Sequence, residues 1–368
     1  MANLVIFIDG FPYDQLAQTD FLNNLKKSRR IPGIGYSFNL YLEMFAGLVP
    51  DQSGVFCEFA FEPQRLQNKT VRILMPVLKI IDKLGIFSSL FKRFVTGYCG
   101  FKFHNVPFAY RYFFTDAGKQ IQRPDLREKT IFKKIEKLSN GKIFDHSICC
   151  YTDKESVGLF YQNIDADNLF IHFTELDGAG HAGFLSAEYF AKLKWLDDKL
   201  KNIWQKYQER HPGANLIILS DHGFCSVEKF IRPEFERIGS LKAGRDYFYF
   251  VDTTMVKFWF LSQAAKEAVL KYLSGLDFGR VLSEQERLAS GIADKKFADE
   301  IFLLQPGIAF FPSFYGGIIK VKGVHGYGPE CSGHHGIFLY NTPRRVEIAP
   351  IINNKETYQC ILDILDLK

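Results

Sequence analysis

Three acidic residues in this chain sit where short apolar runs give way to turns: Asp9 in LVIFIDG, Asp177 in FTELDGAGH and Asp221 in LSDHGF. Two of them have histidine partners. Asp177 precedes His181 by four residues, a spacing at which one helical turn or a compact loop brings a carboxylate and an imidazole onto one ion. Asp221 is followed directly by His222. Neighbours in extended backbone point apart, so these two can share an ion only if the chain turns there, and Gly223 permits that. A further segment, VHGYGPECSGHHG, holds His325, His334 and His335 among glycines and reads as a ligand loop. A strand-terminal Asp-Gly pair alone is a common turn former; the recurrence of the pattern with histidines attached is what points to chemistry. Carboxylates and imidazoles without a thiolate suit an open, catalytic site for Zn²⁺, or for Mn²⁺, better than a structural zinc site. The set is large enough for two ions, the arrangement that holds both nucleophile and leaving oxygen in phosphoryl chemistry.

These residues need a scaffold that delivers them to one place. Leu4–Ile8, Leu169–Leu176 and Asn215–Leu219 are continuously apolar or β-branched, the pattern of parallel strands buried on both faces. Helical patterns lie between and after them: Phe38–Ala46, Ala187–Gln208 and Glu356–Leu367. Alternation of this kind predicts an α/β fold, with a doubly wound, mostly parallel central sheet and helices on both faces. Ligands of such sheets bind beyond the carboxyl ends of the strands, which is where the three acidic residues fall. Residues 64–140 and 228–315 break the rhythm. They are read as cap insertions in a single catalytic domain spanning 1–368.

Composition narrows the function classes. The net charge of +5 is mild, and the densest basic cluster, KKSRR at 26–30, reads as a solvated loop, so no nucleic-acid partner is expected. The seven cysteines are irregularly spaced and never form a C-x-x-C, which argues against both a disulfide framework and a thiolate zinc site. No stretch reaches the ~18 apolar residues of a membrane span, and no secretory leader is evident. The expectation is a cytoplasmic protein with reduced thiols. P-loop, G-x-S-x-G and dinucleotide-binding patterns are absent from the sequence.

The ordered set IFIDG, FTELDGAGH, LSDHGF and HGYG resembles the alkaline phosphatase superfamily, and within it the nucleotide pyrophosphatase and type I phosphodiesterase branch. The match runs from Asp9 to the final helix, ETYQCILDILDL, and is weak across the two insertions. The resemblance implies that Asp9, Asp221 and His222 hold one ion and Asp177, His181 and His325 the other. It also implies a Thr or Ser nucleophile at the start of a helix, about ten residues before a small-residue–Gly pair and a following Pro. AGLVPDQSG at 46–54 resembles that landmark, and counting back from it reaches Ser37. At a helix N-terminus Ser37 would face backbone N–H groups and a dipole that favour an anionic phosphoryl group; the plainer role for it is an N-cap.

Two features depart from the family pattern. Ser-Phe-Asn replaces the usual Thr-Phe-Pro-Asn, and ungapped counting puts Glu58 where the branch often has an Asn that donates to a phosphoryl oxygen. A carboxylate there would repel that oxygen unless protonated or paired with a cationic part of the substrate. The expected activity is hydrolysis of a phosphodiester or pyrophosphate bond in a small nucleotide or lipid-linked ester, with Ser37 as nucleophile and Glu58 contacting substrate. A phosphomonoesterase or a phosphoryl-group transferase would use the same ligands. A non-catalytic, membrane-peripheral binding protein is the alternative of a different class. Its cue is 64–140, where apolar helical faces alternate with Lys79, Lys83, Lys92, Arg93 and Lys102, suited to peripheral contact with an anionic membrane.

Overall fold

A computed structural model of the chain describes residues 1–82, 94, 105–117, 123–138, 152–316 and 318–367. It divides into two compact units. The first comprises Met1–Val55, Gln120–Ser226 and Lys322–Lys368; the second comprises Phe56–Lys119 and Val227–Val321.

The first unit is built on six strands: β1 (Asn3–Ile8), β2 (Lys26–Ile31), β3 (Asn168–Phe173), β4 (Asn215–Leu219), β5 (Gly336–Asn341) and β6 (Ile351–Asn353). Their order in the sheet is β6-β2-β5-β4-β1-β3. β1 lies one strand in from the β3 edge and pairs in parallel with both β3 and β4. β5 is antiparallel to β4 and to β2, while β2 and β6 are parallel, so β5 alone runs against the rest. This is the expected α/β fold with a mostly parallel sheet.

Period-2 alternation explains why both faces are covered. Leu4, Ile6 and Ile8 join Leu169, Ile171, Leu216 and Ile218 in one core. Leu193, Leu196, Leu200, Ile203 and Tyr207 from a long helix, Ala187–Arg210, close that core. Val5 and Phe7 face the other way and meet Met44 and Phe45 of helix Ser37–Ala46, Phe132 of helix Ile131–Leu138, and Ile361 and Ile364 of helix Asn354–Leu365. Each such side chain taken fully out of water contributes about 1.5–3 kcal/mol. In chain order these helices are α1 (Ser37–Ala46), α2 (Ile131–Leu138), α3 (Asp153–Gln162), α4 (Glu175–Gly183), α5 (Ala187–Arg210) and α6 (Asn354–Leu365).

Two local expectations are corrected. The strand expected over Leu169–Leu176 ends at Phe173, and Asp177 lies in the first turn of α4. The apolar run hid the boundary because Leu176 is as buried in the helix as a strand residue would be. The KKSRR cluster is a strand, β2, paired on both sides. Its alternation places Ser28 and Arg30 inside and sends Lys27 and Arg29 outward.

The second unit holds a four-stranded antiparallel sheet in the order Tyr247–Val251, Met255–Phe260, Glu300–Leu304, Gly279–Val281. Its aromatic residues account for much of the Phe and Tyr content: Phe61 stacks on Trp259, and Phe113 and Phe114 meet Phe248 and Phe250 edge-on. A helix over Lys69–Asp82 leaves Ile73, Val77 and Ile80 exposed on one side. Of the basic residues singled out in the sequence, Lys83, Lys92, Arg93 and Lys102 lie outside the described residues, as does the apolar pattern 87–95 apart from Phe94. Among the described residues, no helix is long and apolar enough to cross a membrane.

Candidate active site

All of the expected ligands belong to the first unit, and they gather as two groups of three: Asp9, Asp221 and His222, and Asp177, His181 and His325. Within each group the ligand atoms lie within 4.8 Å of one another. β1 and β4 deliver the first group. Asp9 directly follows β1, its N–H still bonded to Phe173 O (2.9 Å), and Asp221 and His222 follow β4 after one residue. One turn of α4 delivers Asp177 and His181, with His181 Nε2 3.5 Å from Asp177 Oδ2. The ring of His325 stacks on that of His222, centroids 3.6 Å apart and planes 9° from parallel.

Hydrogen bonds orient His222, His181 and Asp221 and leave the inward atom of each facing the cluster. The Nδ1–H of His222 donates to the Gly223 carbonyl (3.1 Å), and that of His181 donates to the Gly323 carbonyl (3.0 Å). A carbonyl only accepts, so Nδ1 carries a proton in each ring and Nε2 is the atom turned toward the cluster. His222 Nε2 then faces Asp9 Oδ1 at 3.5 Å and Asp221 Oδ2 at 3.3 Å. Asp221 Oδ1 accepts from the N–H groups of Gly10 (3.2 Å) and His222 (3.0 Å), whereas its buried Oδ2 has no hydrogen-bond donor. Asp177 Oδ1 is likewise buried without one. Buried lone pairs facing buried lone pairs repel unless a cation sits between them. Histidines anchored through Nδ1 to backbone carbonyls are the usual support of metal-binding imidazoles. The residues present therefore fit divalent ions of the oxygen- and nitrogen-preferring kind.

The electrostatics agree with that reading. Burial pushes the Asp177 carboxyl up, with Asp221 adding to the effect and His181 and His222 opposing it. Burial also pushes His325 well below the usual histidine range, helped by His222 and His181, so its ring is neutral at ordinary pH.

Ser37 is the first residue of α1, and the cap position belongs to Tyr36. Its Oγ lies 3.3 Å from His222 Nε2. Glu58 belongs to the second unit, where it is buried and its carbonyl accepts from Ala117 N–H (2.6 Å). His334 and His335 are buried in the loop after His325 but join neither ligand group. His335 Nε2 donates to Pro329 O (2.7 Å), and His334 Nδ1 accepts from Gly326 N–H (3.4 Å).

Two glycines make the convergence possible. Gly10 has φ +70°, and a Cβ there would meet Phe224 at 2.6 Å and Asp177 Oδ1 at 3.1 Å. Gly223 was expected to permit a turn, but its backbone is not left-handed and the requirement is space. A Cβ at Gly223 would lie 2.2 Å from Gly333 O and 2.7 Å from His335 O, both backbone atoms.

Sequence reasoning missed a buried chain of polar groups linking the Asp221 loop to the start of α1. Arg30, fully buried, donates to the carbonyls of Ser220 (2.9 Å) and Asp221 and to Asn354 Oδ1 (2.5 Å). Asn354 donates to Glu43, as does Asn39 (2.7 Å), and Asn39 Oδ1 accepts from Tyr36 N–H (3.0 Å). Burial raises the Glu43 carboxyl to about 7, against the opposing pull of Asn354, Asn39 and Arg30. Burial lowers the Arg30 guanidinium to about 10, against Asp221 and Glu43. One signal was present, Asn39 and Glu43 one turn apart on an otherwise apolar helix, whereas KKSRR, polar at every position, gives none for the burial of Arg30.

The sheet thus carries one candidate ligand group at its strand ends and a second on α4 and the loop before β5, with a serine at a helix N-terminus beside the first. The model of the type I phosphodiesterase/nucleotide pyrophosphatase family matches residues 121–256. Among solved structures, human ectonucleotide pyrophosphatase/phosphodiesterase 5 superposes with a TM-score of 0.69 at 13% identity, covering 100% of this chain and 96% of that one. The murine counterpart gives 0.67 at 14% identity with the same coverage, as does its inactive threonine-to-alanine variant in complex with AMP. No curated protein matches by sequence. The chain is thus similar to the type I phosphodiesterase/nucleotide pyrophosphatase family over residues 121–256 and shares the fold of these solved structures.

Proposed function

We propose that the chain hydrolyses phosphodiester or pyrophosphate bonds with Ser37 as nucleophile and two divalent ions, Zn²⁺ or Mn²⁺, as cofactors. The family match supports phosphodiester hydrolysis as the reaction class. The observation that carries the finer reading is the approach of Ser37 Oγ to His222 Nε2 at the edge of one ligand group, with the second group beside it. Asp9, Asp221 and His222 would hold one ion and Asp177, His181 and His325 the other. Bound there, the ions would supply Lewis acidity toward the phosphoryl oxygens and neutralise charge on the nucleophile and the leaving oxygen.

The chain's own residues supply position. The first turn of α1 presents N–H groups and a positive dipole end to an anionic phosphoryl group. Ser37 Oγ attacks phosphorus, the ester oxygen departs on the opposite side, and water then releases the phosphoryl group from the serine. The Nδ1–H bonds of His222 and His181 fix the ring planes, and the two N–H groups on Asp221 Oδ1 fix that carboxylate.

A nucleotide ester is the favoured substrate class, because the murine relative was solved with AMP. Glu58 is retained as a substrate contact on sequence position alone. The single-domain organisation, with segments near 64–140 and 228–315 as insertions, is supported by chain order: strands before, between and after them complete one sheet. A cytoplasmic location belongs to the same reading and rests on cysteine usage.

The test is turnover of a chromogenic phosphodiester and of its monoester before chelation, after it, and after adding back Zn²⁺ or Mn²⁺. Metal-restored cleavage of the diester supports the reading. Preference for the monoester would make the chain a phosphomonoesterase, and no metal-dependent cleavage of either would remove the hydrolase reading.

Peripheral membrane contact has one observation of its own. Ile73, Val77 and Ile80 are exposed at i, i+4 and i+7 of a helix in a segment rich in Lys and Arg, the composition of an interfacial helix. Replacing all three by Ser should abolish binding to anionic vesicles; binding that survives the change rules this contact out.

A further inference from the structure

The loop after β4 and the loop before β5 meet away from the ligands as well. Cys225 pairs with Val324 in a short antiparallel bridge, and Gly223 N–H donates to His334 O (2.8 Å). Beside these contacts the sulfurs of Cys225 and Cys331 lie 2.8 Å apart, within an ångström of the ~2.05 Å of a disulfide bond. Both residues are free cysteines, 106 positions apart in the chain. Cys225 is half-buried, which gives a soluble oxidant access to the pair.

We propose that Cys225 and Cys331 form a reversible thiol–disulfide site, oxidised by low-molecular-weight disulfides such as oxidised glutathione, whose closure cross-links the loops carrying His222 and His325. The proposal does not depend on the hydrolase reading, since it concerns only these two sulfurs.

The chemistry of the pair differs from that of the other described cysteines. Burial pushes the Cys57 thiol up to about 12 and Cys360 up to about 11, where thiolate is scarce. Cys331 is drawn down to about 7 by the hydrogen bond from Cys225, against burial, with the N–H groups of His334 and Gly333 assisting. Its thiolate attacks one sulfur of the external disulfide and expels the other as a thiol. Cys225 then attacks Cys331 Sγ in the mixed disulfide and expels the second thiol. Two protein thiols become one disulfide as one external disulfide becomes two thiols. Two electrons pass to the oxidant, and the two protons end on the released thiols.

Closure encloses the whole segment Val227–Val321 in one covalent loop. A loop of that length removes much unfolded-state freedom, so oxidation should raise Tm by roughly 5 °C or more.

The test uses the full chain equilibrated in glutathione buffers of increasing oxidised fraction, then alkylated and digested without reduction. The expected result is a cross-linked peptide joining Cys225 to Cys331, reversed by dithiothreitol, with a rise in Tm absent from Cys225→Ser and Cys331→Ser. Two outcomes overturn the proposal: both thiols still alkylated after full oxidation, or each carrying glutathione with no cross-link. The wild-type peptide map decides the matter even where a variant folds poorly.

Discussion

Glu43 should make the protein lose stability as pH rises from about 4.5 to about 7, and Glu43→Gln should remove that loss. The carboxyl is buried at the centre of the Arg30–Asn354–Glu43–Asn39 chain, and its proton affinity is raised from 4.5 to about 7 in the folded state. A raised folded pKa means that the native state holds a proton which the unfolded chain has already released. The contribution is therefore complete below about pH 4.5 and is lost progressively as pH rises to about 7. Those two values differ by about 2.5. At about 1.36 kcal/mol per unit the difference corresponds to a loss of about 3 kcal/mol. Gln does not titrate. The difference in unfolding free energy between wild type and Glu43→Gln should thus shrink by about that amount between pH 4 and pH 8. Urea denaturation of the chelator-treated proteins across this range measures it, with metal linkage removed. A difference that stays flat would refute the burial argument. One that grows with pH would mean that the charge of Arg30 outweighs desolvation and that Glu43 is ionised in the fold.

Gly223→Ala forces a methyl group against the backbone carbonyls of Gly333 and His335. It should cost roughly 1–3 kcal/mol and lower bound metal, read by thermal melting and elemental analysis; a variant within error of wild type in both would contradict the packing account. His325→Ala should lose about one metal equivalent, whereas His334→Ala, whose ring lies in neither ligand group, should keep both. Equal losses would mean that the loop, rather than His325, holds the ion.

Much of this candidate site was legible in the sequence because its candidate ligands are local. Asp177 and His181 are one turn apart, Asp221 and His222 are adjacent, and each pair stands beside an apolar run long enough to be recognised as a sheet strand. That the pairs share one crevice was also expected, since parallel strands of one sheet bring their carboxyl ends together. What stayed hidden depends on tertiary context. The end of the third strand was misplaced because Leu176 is apolar for the sake of helix packing. The charge of KKSRR masked an alternation that buries Arg30, the anchor of the Asp221 carbonyl. Cys225 and Cys331 carry no local signal at all, since only the fold brings residues so far apart in sequence together.

The central claim is that Ser37 acts beside two ions held by the six ligands. Metal content and turnover of a chromogenic phosphodiester, measured together on wild type and Ser37→Ala, test it most directly. The account predicts close to two divalent ions per chain in both proteins, with turnover in the variant reduced by about 10³-fold or more. A wild-type protein that binds no metal, or a variant that turns over as fast as wild type, would contradict it.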